Sequence, residues 1–226
     1  MTRVGAAAVA LVAIAGIAWQ YLETTPVRLG FEDTDDPALM VSFIRQYPAV
    51  FSQAGVVLVL MAIALIVAVL AVTPVIAPAR DSLSSRTTMA FGLIAAAILL
   101  VGGGIRVGSS GPLLHMAGLS QASGEAAYVA AQVASQAALI TGILALCLWI
   151  VGLSVGGVRN RTLPALMCAL AIAPAYRIAG GLLGPLGLLP QIDVFWFLGV
   201  LSILGTFAWL LLLGIVLFRR AGPTNG

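Results

Sequence analysis

Residues 54–77 read AGVVLVLMAIALIVAVLAVTPVIA, a run without one ionisable side chain. A helix needs about 18–20 predominantly apolar residues to cross a hydrocarbon core of about 30 Å, and this run exceeds that length. Five further apolar segments flank it, at 4–21, 89–105, 126–155, 163–186 and 194–218. Composition agrees: of 226 residues, 61% are apolar and only 8% are charged. A soluble domain carries roughly 25% charged residues. The expected fold class is all-α, a polytopic membrane helix bundle of six transmembrane helices forming one domain over residues 1–226.

The first segment, MTRVGAAAVALVAIAGIAWQ, also has the short basic start and small residues of a signal peptide. Its apolar part is long for a signal peptide's core, so a retained helix is the expectation.

Arginine placement orients the bundle. All 11 basic residues are arginine. Arg3, Arg80, Arg86, Arg159, Arg161, Arg219 and Arg220 fall in the four regions that six spans put on one side. The other side receives Arg28, Arg45, Arg106 and Arg177 with every acid except Asp81: Glu23, Glu32, Asp33, Asp35, Asp36, Glu125 and Asp193. Excess arginine marks the cytoplasmic side, so both termini are expected there. The implied location is a bacterial cytoplasmic (inner) membrane, with the lipid bilayer as the first partner. The scattered arginines form no basic patch, which argues against nucleic acid.

The two faces differ in size. The inner loops APARDSLSSRTT and GGVRNRT leave no room for a catalytic domain. The outer loop 22–53 contains DDPALMVSFIRQYPAVF, where Asp36 is a helix N-cap and Pro37 a first helical residue. Leu39, Met40, Phe43 and Ile44 then share one face, predicting a short amphipathic helix over 37–46 that lies on the outer bilayer surface. A face for a protein partner is the alternative. The segment 106–125 reads as a second outer loop.

A polar stripe interrupts the apolar pattern. In SGEAAYVAAQVASQAAL, Glu125, Tyr128, Gln132 and Gln136 fall at i, i+3, i+7 and i+11, along one helical face bordered by Ser135. Such a line is unfavourable against lipid and should point into the bundle. In AIAPAYRIAGGLLGPLGLLP, Arg177 follows Pro174 and precedes the Gly180-Gly181 pair. A rise of 1.5 Å per residue from Leu163 puts Arg177 about 21 Å into the membrane. Arg106 and Asp193 close the set, so four helices are expected to bring Arg106, Glu125, Arg177 and Asp193 to one outer depth. Pro174 should bend its helix and the glycine pair should allow close packing. Three readings of the cluster stand: helix glue, a ligand cavity or substrate path open to the outer face, and a subunit interface.

Catalytic and metal motifs are poor. GSSG at 108–111 matches the short G-x-S-G pattern of rhomboid intramembrane proteases, with Ser110 as would-be nucleophile. The resemblance departs at once, because a rhomboid's histidine comes from a separate later helix and the only one here, His115, is in the same loop. One histidine with Cys147 and Cys168 makes no three- or four-ligand zinc site without carboxylates. Both cysteines read as small hydrophobes rather than a disulfide framework. FEDTDD lacks the spacing and glycine of an EF-hand loop. No phosphate-cradling or dinucleotide motif is present, and no cofactor is expected.

The plan resembles an uncharacterised family of six-helix bacterial, actinobacterial-type integral membrane proteins. The shared features are the N-terminal RVGAAAVALVAIAG, the long outer first loop, the glycine- and proline-punctuated fifth hairpin and the final span ending in LFRR. The resemblance covers most of the chain and implies the six-helix fold without an activity.

Three functions follow as expectations. The first is a non-enzymatic accessory or scaffold subunit that packs on membrane-protein partners or on further copies of itself. The second is a binder or carrier of a small amphipathic or lipid-like anionic molecule, held by Arg177 and Arg106 with Gln132 and Gln136 below. The third, a membrane-embedded enzyme, is disfavoured by the residue inventory.

Overall fold

The computed structural model describes residues 2–31, 33–77, 83–183 and 193–220, with side chains at these positions except 2, 181–183 and 193–197. Glu32, Arg80, Asp81 and the side chain of Asp193 therefore lie outside the described residues. Every regular element among the described residues is a helix. The order is α1 (Thr2–Glu23), α2 (Thr25–Arg28), α3 (Pro37–Gln46), α4 (Pro48–Ile76), α5 (Leu83–Leu119), α6 (Gln121–Arg159), α7 (Ala165–Leu170), α8 (Ile172–Leu183) and α9 (Asp193–Arg220).

Five helices are long and apolar enough to cross a membrane: Arg3–Glu23, Pro48–Ile76, Leu83–Leu119, Gln121–Arg159 and Leu198–Arg220. The fifth expected span, 163–186, differs. Its described apolar part, Ala165–Gly180, is shorter, and a turn at Ala171 divides it into α7 and α8. Pro174 gives the physical reason. It has no N–H to offer the Leu170 carbonyl four residues back, and its ring crowds that carbonyl.

Six helices close into a ring, in the order α1, α4, α5, α6, α8, α9 and back to α1. The interior is built from small and branched side chains, among them Val9, Val12, Ala13, Ala62, Leu65, Ala68, Ala95, Ala96, Leu99, Leu146 and Ile150. Lipid tails are as apolar as these residues, so helices hold together by close packing and internal hydrogen bonds rather than by a hydrophobic drive. Two buried indoles supply such bonds. Trp149 Nε1 donates to Thr73 Oγ1 at 3.1 Å, and Trp209 Nε1 donates to the Met167 carbonyl at 2.9 Å.

Helices α4 and α5 approach closely at Gly55 and Gly103. A Cβ placed on Gly103 would lie 2.8 Å from the Gly55 carbonyl oxygen, and one on Gly55 would lie 2.9 Å from the Gly103 carbonyl. Two bare backbones therefore touch, in the manner of small-residue helix interfaces.

The segment 106–125 is not a loop. Helix α5 runs 37 residues and α6 runs 39, and Ser120 alone joins them. At 1.5 Å per residue each is about 55 Å or more, far beyond a hydrocarbon core of about 30 Å. The glycines and Pro112 that read as a turn are absorbed by the helix. Ser109 Oγ donates to the Arg106 carbonyl at 3.4 Å and Ser110 Oγ to the Val107 carbonyl at 2.8 Å, one turn before the break in the ladder that Pro112 makes. Ser120 caps α6 by accepting from the Ser123 N–H at 3.1 Å.

Helix α3 starts where Asp36 accepts from the Ala38 N–H at 2.8 Å. Its apolar face is turned into the protein. Met40, Val41, Phe43 and Ile44 are buried with Phe51, Leu113, Ala117 and Tyr128 in a second apolar cluster against the α5–α6 hairpin. Arg45 donates from Nη2 to the Ala117 carbonyl, tying α3 to α5. The overlong hairpin supplies an apolar wall that a loop would not have supplied.

Two glycines on α5 give opposite expectations. Gly103→Val should destabilise by about 1–3 kcal/mol, since the added atoms meet backbone. Gly108→Ala should be neutral or stabilising by up to about 1 kcal/mol, since nothing lies within 4 Å of an added Cβ there. Reversible unfolding in mixed micelles measures both, and equal effects would contradict this packing.

Candidate functional site

At the end of the ring covered by α3, side chains from α1, α4, α5 and α6 converge on a cavity of about 350 Å³. Helix α1 ends by delivering Gln20 and Glu23, which share one of its faces. Helix α5 delivers Arg106, whose Cβ lies 2.9 Å from the point where a Gly55 Cβ would stand. The close α4–α5 backbones thus press this arginine inward, and it is only 3% exposed.

Arg106 is satisfied by Glu23. The guanidinium donates from Nη1 to Oε1 and from Nη2 to Oε2, the second at 3.2 Å. This two-pronged geometry is the strong form of a charge-assisted pair. The Phe51 ring adds a cation–π contact, with its centroid 5.7 Å from Arg106 Cζ. The pair links α1 directly to α5 across the rim of α4.

Helix α6 provides the far wall with Tyr128, Gln132 and Gln136. Tyr128 is buried and feels the charges of Arg106, Glu23 and Asp35. The roof comes from Thr34 and Asp35 of the connection before α3, from Met40 and Phe43 of α3, and from Val50 and Phe51 of α4. Two carboxylates and one guanidinium line the space. Once Glu23 has neutralised Arg106, the uncompensated charge is the carboxylate of Asp35.

The structure thus brings together Arg106, Tyr128, Gln132 and Gln136, while Glu125 and Arg177 lie apart from them and the side chain of Asp193 is outside the described residues. Glu125 lies on the hairpin, accepting from Gln121 Nε2 at 2.9 Å, and does not line the cavity. Arg177 faces a different and smaller cavity, lined on α6 by Leu139, Ile143 and Leu146. Those residues lie about one to three turns below Gln136. Asp193 opens α9, ten residues before Ile203, which lines Arg177's cavity. Ten residues of helix are about 15 Å. Arg106, Glu125 and Arg177 therefore do not share one cavity, and the turn at Ala171 interrupts the straight helix along which depth is counted from Leu163.

Sequence reading missed Gln20, Glu23 and Asp35. Gln20 and Glu23 stand three residues apart at the end of the first apolar run, a short polar face that the helical period would have shown. Their pairing with α5 has no local signal. Ser110 and His115 lie on one exposed stretch of α5, five residues apart, hence about 140° apart around its axis. They do not face each other. Among the described residues no group of three His, Cys, Asp or Glu side chains is placed to hold a metal ion.

Chemically the cavity offers amides, hydroxyls, one carboxylate and three aromatic faces, with its arginine already engaged.

Phe43, 1% exposed and edge-on to Phe31 with centroids 5.2 Å apart, fastens the roof. Phe43→Ala should cost about 3–5 kcal/mol, borne locally by α3. Amide exchange should accelerate at 37–46 and stay unchanged in the middle of α4 and α6; uniform acceleration would contradict a separately docked roof. No protein-family model, curated protein or solved structure matches the chain, so the cavity is read from its own geometry.

Proposed function

We propose that the chain is a multi-pass membrane protein that holds a small polar or amphipathic molecule in the cavity beneath α3, without transforming it. The observation that carries this reading is the cavity itself. About 350 Å³ falls within the size range of small-molecule clefts, and its lining pairs apolar walls with a few converging polar groups. A bundle that needed Gln132 and Gln136 only as glue would pack them against partner side chains, whereas both border open space. Among the described lining residues there is no histidine, cysteine or lysine, so no nucleophile–base pair supports catalysis.

The charge balance selects the ligand class. Arg106 is committed to Glu23 and Arg177 opens elsewhere, so an anionic head group has no free cation in this cavity. A neutral, zwitterionic or cationic polar part suits Asp35, the amides and the faces of Phe43, Phe51 and Tyr128.

For topology we propose six crossings, with α7 and α8 together forming the interrupted fifth and both termini in the cytoplasm of a bacterial cell. Arg3, Arg86, Arg159, Arg161, Arg219 and Arg220 all sit at the end opposite α3, which supports this sidedness. The cavity then opens to the outer face.

A second reading, an accessory subunit, draws on one observation. On α5 the glycines 104, 108, 111 and 118 have nothing within 4 Å of an added Cβ, leaving a smooth face of the kind that packs on another helix.

Two measurements test the proposal. In a cysteine-free background, Thr34→Cys should react with a membrane-impermeant maleimide in intact cells, and Asn160→Cys only after permeabilisation; the reverse pattern would overturn the orientation. Native mass spectrometry from gentle detergent should show a small-molecule adduct on the wild type. Gln132→Leu with Gln136→Leu should lose it while unfolding no more readily. Retention of the adduct by that folded variant, or its absence from the wild type, would contradict the binding reading.

A further inference from the structure

The second cavity lies where all six ring helices meet. Its lining takes residues from each of them: Trp19 from α1, Met61 from α4, Leu99 from α5, Ile143 from α6, Arg177 from α8 and Thr206 from α9. It holds about 20 Å³, and its walls are otherwise almost wholly apolar. A space of about 10–15 Å³ suffices for one water-sized occupant, so this one is built for a single small particle.

Two of its lining residues carry donors without an acceptor among the described residues. Trp19 is 8% exposed, and its Nε1 is the one buried side-chain polar atom without a hydrogen-bond partner among the described residues. The other two indoles described in the bundle, Trp149 and Trp209, both donate. Arg177 is half-buried, and no described residue accepts a hydrogen bond from its guanidinium or forms an ion pair with it. It interacts electrostatically with the thiol of Cys147. Thr206 has its hydroxyl proton turned to the Ser202 carbonyl at 2.7 Å. Asp193, the remaining carboxylate of α9, stands about 15 Å along the helix from Ile203 by its ten-residue separation.

Two residues with N–H donors, one of them a permanent cation, thus line an apolar hole of single-particle size. A water would accept their hydrogen bonds but leave the charge uncompensated inside the bundle, which is unfavourable. An anion accepts the same bonds and cancels the charge. We infer that this cavity is a binding site for one monatomic anion, a halide, held by the Arg177 guanidinium and the Trp19 indole. The volume excludes a phosphate or a lipid head group. Gln20 lines both this cavity and the larger one beneath α3, so the anion's route is the larger cavity and a rotation of that amide.

The test uses the full chain in detergent, exchanged into sodium gluconate and titrated with sodium chloride or bromide at fixed ionic strength. The melting temperature should rise saturably with either halide. Trp19→Phe should weaken the apparent affinity by about tenfold or more, the worth of one charge-assisted hydrogen bond. Arg177→Gln should abolish the dependence. A melting temperature indifferent to halide, or a saturable rise unchanged in both variants, overturns the inference. Should the variants fail to fold, bromide in crystals of the wild type decides: an anomalous peak beside Arg177 and Trp19 supports the site, and a water there refutes it.

Discussion

An arginine this deep in an apolar bundle must find its counter-charge within the protein, and Arg106 finds it in Glu23. That requirement organises the α3 end of the molecule. The arginine comes from α5 and the carboxylate from the last residue of α1, and α4 lies between them. The pair forms only because α4 and α5 approach backbone to backbone at Gly55 and Gly103, which sets Arg106 on the inner side. The cost of burying two charges is large, so the two-pronged contact and the Phe51 face are what make the arrangement tolerable. Having drawn α1 toward α5, the pair leaves the inner face of α6 facing a gap, and Tyr128, Gln132 and Gln136 border that gap.

The second organising feature is length. Helices α5 and α6 continue well past any hydrocarbon core, and the projecting hairpin carries Leu113, Ala117 and Tyr128 as an apolar surface. Helix α3 covers this surface with Phe43 and Ile44, so the roof of the cavity is a small core of its own, separate from the packing of the ring. Roof and ring meet at Phe51, which belongs to the second core and also lies against Arg106.

Local periodicity made much of this legible. Long apolar runs read as helices because a backbone in hydrocarbon has few other ways to satisfy its polar groups. The 3-, 4- and 4-residue steps from Glu125 through Tyr128 and Gln132 to Gln136 share a face wherever the helix is placed, and three of these four residues border the cavity. What depends on distant partners was not legible. Glu23 looked like one acid among several in a loop, because nothing nearby in sequence points to Arg106. The glycines and Pro112 of 106–125 carry turn chemistry, yet long-range packing against α3 and α6 keeps them helical. Arg177 was placed by counting along an unbroken helix, and the turn before Pro174 removes the basis of that count. Trp19 carried no signal at all, since an indole in an apolar run looks like any other core residue until its N–H is seen to lack an acceptor.

The most direct test of the account is the coupling energy between Glu23 and Arg106. Glu23→Gln, Arg106→Leu and the double variant would be unfolded reversibly in mixed micelles. Each single change should be strongly destabilising, by about 3–5 kcal/mol, because it leaves one buried charge alone. The double variant should lose less than the sum of the two single losses, with a coupling of about 1 kcal/mol or more. Additive losses would mean that the two side chains do not pair, and the cavity beneath α3 would lose the interaction that shapes it.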